Sequence, residues 1–251
     1  MTLPSAHVHG VGVDPADGLV HLASHDGLFR FEPSGPVRVG PVIDLMGFSI
    51  AGPDHFYASG HPGPGTDLPD PVGLIESRDG GATWTPLSRE GESDFHALDG
   101  SSAGVVGFDG ALRASTDGRE WTSLEPPVRP YSLAVSADAR TIVVTSESGP
   151  ARSTDAGRTW AQVPQAPLLV LVDFVQGGSG GSEVVGVTPD GVVAVSEDAG
   201  ATWRDRGRID GSVQAISGTR TDDGELQVVV VDGETILRST DGGRSFSPLP
   251  G

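Results

Sequence analysis

The chain has 251 residues, with 34 acidic against 16 basic side chains, a formal net charge of −18 and no cysteine. That excludes disulfides, thiolate metal sites and a cysteine nucleophile, and it argues against nucleic acid as a partner, because a polyanion is repelled. Every basic residue is arginine, which rules out Schiff-base and phosphate-loop lysines; no run of about 18 apolar residues marks a membrane span, and no signal peptide is read in this chain.

In chain order, residues 7–43 carry HVHGVGVDP, LVHLASH, GLFRFEP and PVRVGPV, four short apolar-patterned runs with a turn at Asp26-Gly27. Residues 44–90 carry DLMGFSIAG and HFYASGH, then a 13-residue Pro/Gly-rich insertion at 61–73, then GLIES and the string SRDGGATW. Segments 94–127, 130–165, 168–208 and 212–251 follow, each with an apolar run, a Gly-containing turn, a second run, and a related string. The turn pairs are Asp109-Gly110, Ser148-Gly149, Asp190-Gly191 and Asp232-Gly233, where Gly accepts positive φ.

The recurring string is Ser-x-Asp-x-Gly-x-x-Trp. It occurs at Ser77, Asp79, Gly81 and Trp84; at Ser153, Asp155, Gly157 and Trp160; and at Ser196, Asp198, Gly200 and Trp203. A copy one residue shorter holds Asp117 and Trp121, and Ser239, Asp241, Gly243 and Phe246 form a copy ending in Phe. The first serines lie 38, 38, 43 and 43 residues apart. Four-stranded units of this length cannot bury both faces alone, so they pack radially. The reading is all-β: a single-domain six-bladed β-propeller of four-stranded antiparallel blades, and a monomer.

The string resembles the Asp-box, or BNR, repeat of sialidases, sortilin-like receptors, some glycoside hydrolases and a photosystem assembly factor. HVHG, HDGLF, LMGF, SGHPGPG and DFHAL further resemble bacterial glycosyl hydrolase-like Asp-box proteins. The resemblance implies the propeller and a structural role for the Asp-box residues, and it tilts the setting toward extracytoplasmic. For the sialidases it implies three arginines, a Tyr–Glu nucleophile pair and an Asp acid. No such set is identified. Arg30, Arg113, Arg152 and Arg238 recur near one repeat position, as scaffold residues do, and only Tyr57 and Tyr131 are tyrosines. Catalytic residues are therefore unassigned, with a glycoside hydrolase acting on a glycan kept as the alternative and a protein-interaction scaffold as a third reading.

Histidines collect on the blade ends opposite the motif. His7 and His9 start the first strand of blade one, His25 ends its second, His61 ends the second strand of blade two, and His96 starts blade three. Superposing HVHG, DLMG and DFHA aligns His9, Met46 and His96, and two residues earlier His7, Asp44 and Asp94, on the same side of the strand. Imidazole with thioether suits copper; imidazole with carboxylate suits zinc or another divalent ion. Copper or another transition metal is the expected cofactor, with His9, Met46 and His96 within one site and His7, His25, His61, Asp44 and Asp94 near by as further ligands or outer shell. The alternatives are polar pocket-lining histidines bonded to Asp44 and Asp94, or an imidazole–carboxylate acid–base pair. His21 and His55 fall nearer the motif side and read as incidental.

Overall fold

A computed structural model describes Leu3 and residues 7–177, 181–221, 223–233 and 235–249. Among the described residues there are strands and turns but no helix, and so no helix long and apolar enough to cross a membrane. The fold is a six-bladed β-propeller of antiparallel four-stranded sheets, each built from four consecutive strands in order. Backbone contacts divide the chain into two compact units, Met1–Ser123 and Leu124–Leu249.

The first sheet comprises β1 (Val8–Val13), β2 (Val20–Ser24), β3 (Gly27–Glu32) and β4 (Gly35–Val39). The second has β5 (Ile43–Gly52), β6 (His55–Pro62), β7 (Leu74–Ser77) and β8 (Thr85–Ser88); the third has β9 (Ala97–Ser101), β10 (Gly104–Phe108), β11 (Leu112–Ser115) and β12 (Thr122–Leu124). In the second unit lie β13 (Leu133–Val135), β14 (Ile142–Val144), β15 (Ala151–Ser153) and β16 (Ala161–Gln162), then β17 (Leu171–Phe174), β18 (Val184–Val187), β19 (Val192–Ser196) and β20 (Arg204–Arg208). The last sheet is β21 (Val213–Arg220), β22 (Leu226–Asp232), β23 (Thr235–Ser239) and β24 (Ser247–Pro248).

The second strand of each sheet is buried along most of its length. Val228 to Val231, in β22, are all fully buried, whereas β16 and β24 at the outer edge are exposed. Within the first unit β5 packs against both β1 and β9, and within the second β17 packs against β13 and β21. The first strands thus line up side by side within each unit.

The five motif copies link the third strand to the fourth. Ser77 Oγ donates to Asp79 Oδ1 (2.8 Å) and accepts the Gly81 amide (2.8 Å), while Asp79 accepts the Thr83 amide (2.9 Å). The pattern repeats at Ser153/Asp155/Gly157/Thr159, Ser196/Asp198/Gly200/Thr202 and Ser239/Asp241/Gly243/Ser245. A Thr or Ser four places after each Asp completes the turn; that signal is present in the sequence at 83, 159, 202 and 245. In the shorter copy Asp117 accepts the amides of Arg119 and Glu120 instead. The aromatic residue then packs inward: Trp84, Trp203 and Phe246 lie on core clusters, and Trp121 stacks on Phe95 with ring centroids 5.0 Å apart.

Candidate functional site

The first strands of sheets one and two each carry a β-bulge at the residue singled out by the repeat alignment. Val8 opposes Ser24 and Gly10 opposes Ala23, which leaves His9 as the extra residue. Leu45 opposes Gly60 and Gly47 opposes Ser59, which leaves Met46. Gln214 occupies the same bulge position in β21. A bulge breaks the strict alternation of the strand and re-aims one side chain, so His9 and Met46 are both presented by the same local device. The backbones approach closely there, between the second and third sheets at Gly47 and within the second at Gly60. A Cβ on Gly47 would stand 2.2 Å from the Phe95 carbonyl oxygen, and one on Gly60 would stand 1.9 Å from that of Asp44.

The third sheet differs. The repeat predicts that its first strand begins near Asp94, but β9 starts at Ala97. The Phe95 amide donates to Ser59 Oγ in the second sheet (3.0 Å), and the Phe95 ring is fully buried. Asp94 and His96 flank that plug in a non-strand segment, the carboxylate side chain 20% exposed and the imidazole 61%.

Two imidazole–carboxylate chains result. In the first, His9 Nε2 lies 3.2 Å from His25 Nε2, and His25 Nδ1 lies 2.6 Å from Asp44 Oδ1. A carboxylate only accepts, so His25 donates from Nδ1 and its neutral form carries the lone pair on Nε2. His9 is pushed below the ordinary histidine pKa by burial first and by His25 next, with Asp44 opposing and His96 and His7 adding to the lowering. The His7 ring meets His25 edge-on at 5.4 Å. In the second chain, His61 Nδ1 bonds Asp70 Oδ1 (2.6 Å), His61 Nε2 lies 3.2 Å from Asp94 Oδ2, and His96 Nε2 lies 2.7 Å from the same oxygen. Carboxylates on both sides favour the imidazolium: His61 is raised, chiefly by the Asp70 hydrogen bond, with Asp94 and Asp44 contributing. Asp94 Oδ1 is buried and has no hydrogen-bond partner. The chains adjoin, since Asp44 and His61 are cross-strand neighbours in β5 and β6.

Asp70 is a site residue that the repeat does not single out, because it sits in the insertion at 61–73, which has no counterpart in other blades. Neither chain offers three ligand atoms within 4.8 Å of one another; among the described residues the one such group is Asp14, Asp17 and His21. Its carboxylates are already engaged. Asp14 Oδ1 accepts the Ala16 and Asp54 amides, and Asp17 Oδ1 accepts the Leu19 amide. His55 pairs with Glu76 at 2.9 Å.

No family model and no curated protein matches the chain. Solved structures do share its fold. It is similar to a GH74 enzyme from Niastella koreensis, with 15% identity and a TM-score of 0.63 over 99% of this chain and 46% of that one. It is similar to an ancestral GH74 enzyme at 12% identity and a TM-score of 0.58, over 99% of this chain and 39% of that one. YCF48 bound to a D1 peptide aligns at 19% identity and a TM-score of 0.51, over 85% of this chain and 71% of that one. The chain spans less than half the length of the two GH74 enzymes. At such identities the likeness is one of fold.

Proposed function

We propose that this propeller is a binding protein whose histidine-rich face in the first unit takes up a transition-metal ion, copper ahead of zinc. The observation that carries the reading is the pair of imidazole nitrogens 3.2 Å apart, His9 Nε2 and His25 Nε2, with Asp44 behind His25 at 2.6 Å. Two imidazole ligands bound at 2.0–2.1 Å in a tetrahedral shell stand about 3.3–3.4 Å apart, so little movement is needed to seat an ion between them. A carboxylate behind a ligating histidine fixes its tautomer and raises its basicity. Burial keeps His9 neutral, as a ligand must be. His7, Met46 and His96 are the further ligands in this reading, Met46 being the reason to place copper first. His61, Asp70 and Asp94 form the outer carboxylate–imidazole shell. We read the five turn motifs as Asp-box repeats of structural role, supported by their shared Ser–Asp–Gly hydrogen bonding.

The test is metal analysis of tag-free protein, followed by titration with Cu²⁺ and Zn²⁺. One ion per chain, lost in the His9→Ala/His25→Ala double variant with the fold intact, supports the reading. A metal-free protein that binds neither ion overturns it and leaves the glycan reading, which the GH74 fold likeness supports, to an aryl-glycoside and glycan screen.

A further inference from the structure

A second site lies in the other unit and shares no residue with the histidine face. Strand β15 ends at Ser153, the motif turn follows, and β16 is only two residues long. The chain then turns away at Val163, whose amide bonds the Pro150 carbonyl oxygen, and Ala166 closes the turn back onto Val163. This leaves a groove of about 470 Å³ at the outer edge of the fourth sheet, bounded on its far side by Ala201 of the next motif turn. Arg152, Thr154, Thr159, Trp160, Gln162 and Gln165 line it, and its size is within the range that holds a small ligand.

Two features of the lining define the ligand. Seven arginines are half-buried. Arg30, Arg89, Arg113, Arg206 and Arg220 each face a carboxylate; among the described residues Arg152 and Arg238 do not. Arg152 is the one in this groove, and its Nε is buried without a hydrogen-bond partner. A partly desolvated guanidinium seeks an anion, and its planar fork matches a carboxylate. Beside it, the Trp160 indole N–H is already donated to the Gly157 carbonyl oxygen (3.0 Å), so the ring offers the groove its apolar body rather than its donor. Around these stand the amides of Gln162 and Gln165 and the hydroxyl of Thr154, all on exposed residues. A flat apolar surface, a ring of neutral hydrogen-bonding groups and one fixed cation together fit a pyranose that carries a carboxylate.

We propose that this groove binds an acidic saccharide of the uronic-acid class, its carboxylate on Arg152 and its sugar face on Trp160. The probe is trigalacturonate, with cellotriose as the neutral control and a glutamate tripeptide as the acidic peptide control, read by calorimetry and by the Trp160 indole N–H signal in NMR. Trigalacturonate is expected to bind and to shift that signal, with cellotriose and the tripeptide at least about tenfold weaker. Arg152→Gln is expected to lose about tenfold or more, the size of a charge-assisted hydrogen bond, while His9→Ala leaves this affinity unchanged. Absence of trigalacturonate binding to the wild-type protein, equal binding of cellotriose or the tripeptide, or unchanged affinity in folded R152Q overturns the assignment. If R152Q melts early, the wild-type Trp160 signal decides: no shift with trigalacturonate overturns it.

Discussion

His25 is held from both sides, and its two partners do different work. Asp44 accepts the hydrogen bond from Nδ1–H, which leaves Nε2 facing His9 with its lone pair. Asp44→Asn removes the carboxylate and so weakens metal binding by about 10- to 100-fold, the usual effect of a partner behind a ligand; calorimetric titration with Cu²⁺ measures it, and an unchanged affinity counts against the His9/His25 site. The two ends of the array titrate in opposite directions. Burial lowers His9 and the Asp70 hydrogen bond raises His61. In a pH series by NMR, His61 therefore protonates before His9 as the pH falls. His61 contributes stability that is complete below the ordinary value of 6.5 and is lost as pH rises through its raised pKa. Metal binding needs neutral imidazoles, so Cu²⁺ affinity falls as pH drops below about 6.5. A flat pH profile contradicts ligation by these histidines.

The motif turn works as one element. Its carboxylate accepts three donors in four copies and four at Asp241, and that holds Asp155 and Asp198 at about 2, led by Thr159 for the first, while for the second desolvation opposes the shift and the Thr202 and Ser196 hydrogen bonds outweigh it. A depressed carboxylate gives stability that is present above its unfolded value of 3.8 and lost as pH falls through about 2. Acid unfolding is therefore expected in that window, and Asp155→Ala shifts it upward and lowers the Tm while leaving Cu²⁺ affinity nearly intact. Loss of binding without loss of stability is the contrary result. Ser153 is the more costly position. Its Oγ accepts the buried Gly157 amide at 2.8 Å, and Ser153→Ala leaves that donor unpaired at about 1–3 kcal/mol. The bulge at Met46 has its own dependency. Gly47→Ala drives a Cβ against the Phe95 carbonyl oxygen; overpacking of that kind costs about 1–3 kcal/mol and displaces the segment that carries Asp94 and His96, so a loss of stability is expected in denaturant unfolding.

Charge acts over the whole molecule. A net charge of −18 on 251 residues opposes compaction through self-repulsion. Raising NaCl from about 10 mM to about 1 M shrinks the screening length from about 30 Å to about 3 Å, and a higher Tm is the expected result; a Tm that is flat or falls shows that short ion pairs outweigh the net charge. The same field attracts cations, which suits a metal-binding face, and it makes local cations such as Arg152 the places where an anion can sit. The two proposed sites lie in different units built from one repeat. Each blade reuses the scaffold, and the exposed ends and edges are free to differ.

Much of this was legible in the residues alone. The repeat period, the Gly turns and the alternating apolar runs are local signals, and local signals suffice to specify blades, their number and the motif turns. The alignment matched His9 with Met46, and both fall at register shifts of their first strands, whereas His96, aligned with them, lies before its strand begins. What side chains do across sheets was not legible. That His9 faces His25, that Asp44 backs it and that His61 joins Asp70 to Asp94 depend on bulges and on backbone approach at Gly47 and Gly60. Phe95 shows the reason most directly. Its burial and its bond to Ser59 in the neighbouring sheet override the strand that its own repeat predicts, and only packing between sheets could place Asp94 and His96 on either side of it.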